Sequence, residues 1–185
     1  KRRIGFDTRG QGKKYVFTDL VDYNNTQHMS KTFYDLAKVI GVAEENYQSV
    51  KVPYAGDDLF FVNGFLKTHG IDTQKDILIG IHIGCGPNFP NRRWSCEKYA
   101  QLADRMIEEF NVKVYFTGTR SETDIVQNTI SLMDNKAVDA SGRLSIKQMA
   151  VIIEESDIFF SSDTGPLHIA SAMGTTVVGF FGPNT

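Results

Sequence analysis

The polar segment 161–168, Ser-Ser-Asp-Thr-Gly-Pro-Leu-His, has residue types and a spacing suited to binding an anion. Apolar runs at 158–160 and 176–181 flank it, which predicts a strand, a polar turn, a helix and a second strand. Proline is favoured in the first turn of a helix, and the residue before a proline avoids helical angles. We therefore expect a helix that begins at Pro166, with Gly165 as its cap.

The start of this predicted helix leaves the backbone N–H groups of Leu167 and His168 without helical partners and directs the positive end of the helix dipole at the loop. An anion such as phosphate is stabilised in such a place. The His168 side chain, in the first turn, is close enough to reach the same anion. Taken alone, an ordinary strand-to-helix turn is the commoner explanation, and a lone histidine on a helix is more often structural.

A second candidate loop, residues 82–94, joins a glycine-rich turn to two guanidinium groups, those of Arg92 and Arg93. Glycines let a backbone approach a ligand closely, and the arginine fork matches the geometry of phosphate. A solvated loop anchored by Trp94 is the alternative. We interpret His82, near the end of the preceding strand, as a hydrogen-bonded core group rather than a ligand.

A third loop, residues 118–122, ends on Glu122 in the first turn of a helix that we expect Ser121 to cap. A carboxylate in that position stabilises the helix dipole, so capping explains Glu122 unless a sugar or ribose hydroxyl lies nearby. The sequence motifs of dinucleotide oxidoreductases, P-loop enzymes, zinc proteases and α/β-hydrolases do not occur, which removes the sequence support for each of these classes.

The composition favours a small, individually recognised ligand. The 185 residues include 20 Lys and Arg and 22 Asp and Glu, a net charge of −2 with both signs mixed along the chain. This pattern predicts no binding of nucleic acid, and no apolar run reaches the roughly 18–20 residues of a membrane span. The two cysteines, Cys85 and Cys96, lack metal-ligand spacing and indicate a reducing, cytoplasmic setting.

From residue 76 onward, short apolar runs alternate with amphipathic helices, which is the pattern of βαβ units in a parallel sheet. Five predicted strands make the fold class α/β, with an open, doubly wound, Rossmann-like parallel sheet. The strands are predicted at 77–83, 112–117 and 137–139, at Ile158 and at Val177. The helices between them are predicted to follow Ser95, Ser121 and Ser145, the last with a capping box to Gln148, and to begin at Pro166.

Residues 1–56 differ in character: they contain one predicted strand at 15–18, a helix capped by Ser30, and an irregular stretch with a short candidate strand at 49–52. We interpret 1–56 as the end of an amino-terminal lobe followed by a linker, and 57–185 as a separate ligand-binding domain. The chain opens without a methionine and stops directly after a strand, so we expect a fragment whose site is shared with a missing segment.

Several motifs together carry a resemblance to a known family. They are His82-x-Gly-x-Gly, Asn91-Arg92-Arg93-Trp94, Phe116-Thr117-Gly118 with Glu122, the run from Ser162 to Thr175, and Phe181-Gly182-Pro183. In order and spacing they resemble the ADP-heptose:lipopolysaccharide heptosyltransferases, glycosyltransferase family nine, over about residues 77–185. The Asp-Thr-Gly-Pro-x-His segment is the most specific part of this resemblance.

The resemblance implies a GT-B enzyme of two Rossmann-like lobes, of which this chain is chiefly the carboxy-terminal, donor-binding lobe. It implies transfer of a sugar, heptose, from ADP-heptose to a lipopolysaccharide-core acceptor bound through the missing lobe, with no metal and no cofactor. Such a protein is cytoplasmic or peripheral at the inner membrane. The family's catalytic base is an aspartate of the other lobe, so the fragment is expected to be inactive alone.

The resemblance also implies roles for individual residues. Asp163, Thr164, Gly165 and His168 would hold the diphosphate and sugar, Arg92 would neutralise the phosphates, Glu122 would bond the ribose or base edge, and Leu144 would flank the base. The sequence leaves a second function open, a non-catalytic module of the same fold that holds a nucleotide or nucleotide sugar. A nucleotide-sugar epimerase is a third, but we find no second set of carboxylates or histidines for it.

Overall fold

The computed structural model describes residues 1–7, 15–43, 49–86 and 93–181. The chain forms two compact units, residues 1–49 and 50–185. Lys51 and Tyr54 belong to the second unit because both bond Glu154, at 2.5 and 2.7 Å. The assignment of residues 1–56 to an amino-terminal lobe and linker, and of 57–185 to a donor-binding domain, stays a prediction. Across the described ranges, no helix is both long and apolar enough to cross a membrane.

The first unit contains two parallel strands, β1 (Ile4–Asp7) and β2 (Asp19–Asp22), and one helix, α1 (Met29–Lys38). The strand predicted at 15–18 is wrong, since the pairing with β1 begins at Asp19. The predicted cap of α1 is also wrong: His28 caps the helix, because its ring nitrogen accepts the backbone N–H of Ser30 at 3.3 Å.

The second unit is built on a five-stranded, fully parallel sheet, as the alternation of apolar runs and helices predicted. No strand forms at the candidate position 49–52. The strands, in the spatial order β5-β4-β3-β6-β7, are β3 (Leu78–His82), β4 (Lys113–Thr117), β5 (Val138–Asp139), β6 (Ile158–Ser162) and β7 (Thr176–Phe180). The helices are α2 (Gly56–Thr68), α3 (Cys96–Phe110), α4 (Thr123–Ser131), α5 (Ile146–Glu154) and α6 (Gly165–Met173).

The sheet carries a separate apolar core on each face. Successive strand residues point to opposite faces, so Leu78 joins the core beneath α2, α5 and α6, whereas Ile79 joins the core beneath α3 and α4. β3 is buried on both faces because it lies in the middle of the sheet. Helices therefore cover both sides, which is the doubly wound arrangement that the sequence predicted.

A glycine in the central strand makes room for two aromatic rings. Gly80 pairs with Tyr115 of β4 on one side and with Phe159 of β6 on the other. A Cβ atom at residue 80 would lie 2.5 Å from atoms of both rings. The tyrosine hydroxyl reaches Ser156 at 2.9 Å, so its polar end is satisfied inside the core.

Local capping signals place the helices that follow β3 and β5. The Ser95 hydroxyl accepts the Lys98 N–H at the start of α3, as predicted. The Ser145 and Gln148 capping box is also confirmed, with each side chain accepting the other residue's backbone N–H at 3.2 and 2.9 Å.

Candidate functional site

The candidate site lies at the carboxyl edge of the sheet, between β3 and β6. From β3 the chain runs through α3 to β4 on one side, and it returns later as β6 on the other side. Loops that leave adjacent strands in opposite directions open a crevice beyond the strand ends, and ligands of open α/β sheets bind there. The loop after β3 and the loop after β6 are therefore the two sides of this crevice.

The loop after β6 is held by the strand ladder and by its own hydroxyl groups. The backbone N–H of Asp163 still donates to Phe180 of β7 at 3.2 Å. The Thr164 hydroxyl donates to the Ser162 carbonyl at 3.2 Å and lies 3.2 Å from the hydroxyl of Ser161. These contacts fix the turn between the strand and α6 without using the backbone amide of Thr164.

Helix α6 begins one residue earlier than predicted. Thr164, with extended backbone angles, is the cap, and Gly165 and Pro166 form the start of the first turn. The prediction that Gly165 is the cap is wrong, and so is the prediction that the Leu167 N–H lacks a partner, because it donates to the Thr164 carbonyl at 3.1 Å. The helix therefore includes one more residue at its amino end than the sequence analysis predicted.

The amide groups that remain available therefore lie at the very start of α6. The cap has no side-chain hydrogen bond to the helix. Within the part of the chain that the structure describes, the backbone N–H groups of Thr164 and Gly165 have no acceptor. Gly165 is exposed, and a Cβ atom at this position would meet no atom within 4 Å. Backbone donors, the helix dipole and open space thus coincide at one end of the crevice.

Asp163 and His168 approach each other across this helix start. The Asp163 Oδ1 atom lies 3.7 Å from His168 Nε2, and the side chains are 32% and 74% exposed. At that exposure, water screens the pair and a ligand can reach both groups. The four residues Asp163, Thr164, Gly165 and His168, which the sequence analysis named together, lie in one continuous turn.

Glu122 points inward, toward the loop that follows β3. Residues Arg120–Glu122 form a 3₁₀ turn capped by Thr119, and α4 starts after it, so the prediction that Ser121 is the cap is wrong. The Glu122 Oε2 atom accepts both the backbone N–H and the hydroxyl of Thr119, each at 2.8 Å. The side chain is only 7% exposed because it packs against the backbone of Gly84.

The charge state of Glu122 follows from its partners. Burial raises the pKa of its carboxyl group, but the Thr119 donors, the charge of His82 and the Gly86 N–H together lower that pKa below its ordinary value. The carboxylate thus links two loops, because it accepts from Gly86 in the glycine-rich loop after β3 and from Thr119 in the turn after β4.

His82 is buried at the end of β3, with its Nδ1 atom 2.9 Å from the Thr117 hydroxyl. Burial lowers its pKa to about 4, although Glu122 and Thr117 act in the opposite direction. The imidazole is therefore neutral near pH 7. The interpretation of His82 as a hydrogen-bonded core group is confirmed.

Two predicted site residues stand apart from these contacts. Arg92 lies outside the described residues. Leu144 follows β5 at the same edge of the sheet, two strands from β3, and is half-buried against the core beneath α5.

Sequence reasoning missed two residues of the site, Thr119 and Tyr99. The Thr119-x-x-Glu122 spacing is a capping-box pattern and would have identified the first. Tyr99 lies in α3, for which the sequence analysis predicted only an amphipathic helix, yet its hydroxyl lies 3.4 Å from Ser162, at the end of β6. No local pattern signals that contact.

Comparison with known proteins identifies the family of this chain. The whole chain, residues 1–185, matches the family described as glycosyltransferase family 9 (heptosyltransferase). This chain belongs to glycosyltransferase family 9. The family 9 chain is 27% identical to the lipopolysaccharide core heptosyltransferase OpsX of Haemophilus influenzae, over 98% of this chain and 50% of that protein.

Two solved structures share the fold of this family 9 chain. The glycosyltransferase family 9 protein from Veillonella parvula superimposes with a TM-score of 0.82 at 23% identity, over 94% of this chain and 49% of that one. The ADP-heptose lps heptosyltransferase II of E. coli superimposes with a TM-score of 0.76 at 17% identity, over 96% and 55%. The prediction of a GT-B type α/β fold is confirmed, and the chain spans about half the length of the relatives it matches.

Proposed function

We propose that this chain is the donor-binding lobe of a heptosyltransferase that transfers heptose from ADP-heptose to a lipopolysaccharide-core acceptor. Family membership and the names of OpsX and of the E. coli heptosyltransferase support this reaction class. The acceptor is a membrane lipid, so we place the reaction on the cytoplasmic side of the inner membrane, with the protein peripheral to it. We place the acceptor on the amino-terminal lobe.

The observation that carries the proposal is the start of α6. The Thr164 and Gly165 amides, without acceptors in the described part of the chain, share the carboxyl edge of the sheet with the crevice between β3 and β6. The oxygens of a diphosphate accept hydrogen bonds from such amides and interact favourably with the helix dipole. Because Gly165 has no side chain, a phosphate can approach the backbone closely.

In the proposed reaction, this lobe stabilises the leaving group, ADP. The acceptor hydroxyl oxygen forms a bond to the anomeric carbon of heptose, and the bond from that carbon to the diphosphate oxygen breaks. The electron pair of the broken bond goes to ADP, whose added negative charge is stabilised by the helix start and by Arg92. The proton of the acceptor hydroxyl goes to a base on the other lobe.

The remaining predicted residues orient the donor. Asp163 fixes the turn and accepts hydrogen bonds from donor hydroxyls, and His168 contacts the phosphate or sugar. Leu144 flanks the adenine. The Glu122 carboxylate offers about four lone-pair positions, of which Thr119 uses two and Gly86 one, so one position remains for a ribose hydroxyl.

Titration calorimetry of this chain with ADP-heptose, ADP, AMP and adenosine tests the proposal. We expect ADP to bind at least ten times more tightly than adenosine, since the diphosphate provides the main contacts. A transfer assay on the same chain should show no turnover. Equal affinity for ADP and adenosine would contradict the anion site, and turnover by this chain would place the base within it.

The same assay on the longer protein separates transferase from binding module. Transfer of heptose to a lipopolysaccharide core supports the proposed enzyme. Tight binding of ADP-heptose without transfer would favour the non-catalytic module of the same fold.

A further inference from the structure

Arg93 is held at the entrance of α3 by rigid contacts on its carboxyl side. The ring of the next residue, Trp94, packs edge-on against Tyr99 with centroids 5.5 Å apart, and against Phe180 of β7 at 5.1 Å. Ser95 then caps α3. The backbone that directly follows residue 93 is therefore anchored to α3 and to β7.

The guanidinium of Arg93 has a buried donor without an acceptor. Its Nε atom is inaccessible to solvent, and it is the one buried side-chain nitrogen or oxygen among the described residues that makes no hydrogen bond. The structure shows no ion pair for this half-buried side chain in the ranges it describes. A cationic N–H that is removed from water and gains no acceptor raises the free energy of the folded state. Such a group in a native fold therefore needs an explanation.

The position of Arg93 explains the missing acceptor. Burial raises the pKa of the Tyr99 hydroxyl, and the positive charge of Arg93 acts in the opposite direction, which places that charge close to the hydroxyl. The hydroxyl lies 3.4 Å from Ser162, the residue directly before Asp163. The charge of Arg93 thus lies near the Tyr99 hydroxyl, which reaches the end of β6 beside the crevice.

Among the described groups that act on the Tyr99 hydroxyl, none is a carboxylate. Besides Arg93, they are the Ser162 hydroxyl and the thiols of Cys85 and Cys96. The next carboxylate along the chain, that of Asp163, belongs to the loop that starts α6 and lies 3.7 Å from His168. An anionic ligand in the crevice would supply Arg93 with a counter-ion.

We infer that Arg93 is a second cationic ligand of the donor's diphosphate, which its guanidinium group binds as a fork. This inference rests on the proposed function and extends it, because, of the two arginines in this loop, the family resemblance assigned only Arg92 to the phosphates. The fork geometry of a guanidinium matches two phosphate oxygens, which the point charge of a lysine cannot do.

Arg93→Met is the decisive variant because it keeps much of the aliphatic stem and removes the charge. Calorimetry should show that ADP and pyrophosphate each bind about ten-fold or more weakly to this variant, whereas adenosine binds with unchanged affinity. Arg93→Lys should lose less ADP affinity than Arg93→Met, since the charge remains and the fork is lost. Arg105→Ala removes an exposed arginine of α3, paired with Glu109 at 2.9 Å, and should change none of the three affinities.

A stability measurement separates ligand binding from a structural role. Removal of a buried, unpaired N–H relieves a cost, so the urea midpoint of ligand-free Arg93→Met should equal or exceed that of the parent. A lower midpoint with equal losses of ADP and adenosine affinity would overturn the inference and make Arg93 a structural residue. If Arg93→Met does not fold, Arg93→Lys decides the question. The inference then requires that Arg93→Lys binds ADP more weakly than the parent does and binds adenosine with unchanged affinity.

The outcomes for the inference and for the proposed function are distinct. A parent that binds ADP, with Arg93 variants that bind it equally well, overturns the inference only. A parent that binds pyrophosphate through Arg93 but does not prefer ADP to pyrophosphate supports the anion site and contradicts the nucleotide-sugar function. A parent that binds neither ligand overturns both.

Discussion

The carboxyl group of Glu122 packs directly against the backbone of Gly84. A Cβ atom at residue 84 would lie 2.5 Å from the carboxyl carbon, a distance that real Cβ atoms do not adopt. Gly84 belongs to the loop after β3 and Glu122 to the turn after β4, so this contact joins two of the loops at the carboxyl edge of the sheet. Close approach, rather than an unusual backbone angle, is the reason for glycine at this position.

Gly84→Ala should therefore displace Glu122 and weaken its bonds to Thr119. We expect the free energy of unfolding to fall by about 1–3 kcal/mol, as for other overpacked sites, and ADP affinity to fall with it. Urea denaturation and calorimetry measure the two effects. Gly64→Ala in α2 is the matched control, since a Cβ there meets no atom within 4 Å, and it should stabilise the protein by about 0.5–1 kcal/mol. A Gly84→Ala protein as stable as the parent would show that Glu122 moves aside freely.

His82 should make stability depend on pH. Its pKa is about 4 in the fold, against an ordinary value of 6.5, because the imidazole is buried. Between these values the unfolded chain binds a proton that the folded chain does not, so the free energy of unfolding falls as pH falls, by up to about 1.4 kcal/mol per pH unit. The lowered pKa of Glu122 adds a further loss below pH 4.5, its ordinary value, as the carboxylate becomes protonated.

Urea denaturation between pH 7 and pH 4 measures this dependence. His82→Asn keeps an acceptor or donor for Thr117. In this variant the free energy of unfolding should depend less on pH. The same change at exposed His69 controls for the loss of an imidazole and should leave the slope as it is. An unchanged slope in His82→Asn would mean that other groups produce the acid sensitivity.

Asp163 sits beside the proposed diphosphate position, where a carboxylate is repelled by phosphate unless it has a separate role. If that role is to accept hydrogen bonds and orient the turn, Asp163→Asn should keep ADP-heptose affinity within a few-fold, and Asp163→Ala should reduce it about ten-fold. Calorimetry on the pair of variants makes the comparison. Tighter binding by both variants would show that the carboxylate only repels the ligand and would remove this loop from the anion site.

Arg92 remains a prediction of the sequence and of the family resemblance. Arg92→Ala should weaken ADP binding by roughly 1.5–3 kcal/mol, the range of a lost charge-assisted contact, with little effect on folding. Arg92→Lys should recover part of the loss, because the charge is kept. Unchanged ADP affinity in the alanine variant would assign Arg92 to the solvated surface.

Signals within a few residues of each other predicted the regular elements well. Ser95 before an amphipathic segment predicted the correct start of α3, and Ser145 with Gln148 predicted the correct start of α5. Both signals concern groups on one helix, whose periodicity and capping bonds are determined by local geometry. The alternation of such helices with apolar runs sufficed to predict the parallel sheet and the loops that face its carboxyl edge.

Predictions of element boundaries that depend on a particular hydrogen-bond partner were less accurate. The strand expected at 15–18 begins instead at Asp19, where the pairing with β1 starts. The cap expected at Gly165 is Thr164, one residue earlier, because the Leu167 N–H donates to the Thr164 carbonyl and Gly165 becomes part of the helix. In each case the deciding hydrogen bond depends on backbone angles and neighbours that residue type does not encode.

The sequence by itself determined the fold class, the order of the elements and the segment that starts α6, because hydrophobic periodicity and the Asp-Thr-Gly-Pro-x-His motif are local properties. Only the tertiary structure decided that β3 lies beside β6, that Glu122 meets Gly84, and that Tyr99 reaches Ser162, 63 residues further along the chain. Within the described ranges, it also left the Nε–H of Arg93 buried without an acceptor. A pattern of apolar residues specifies which side chains become buried, whereas packing in three dimensions decides which of them meet.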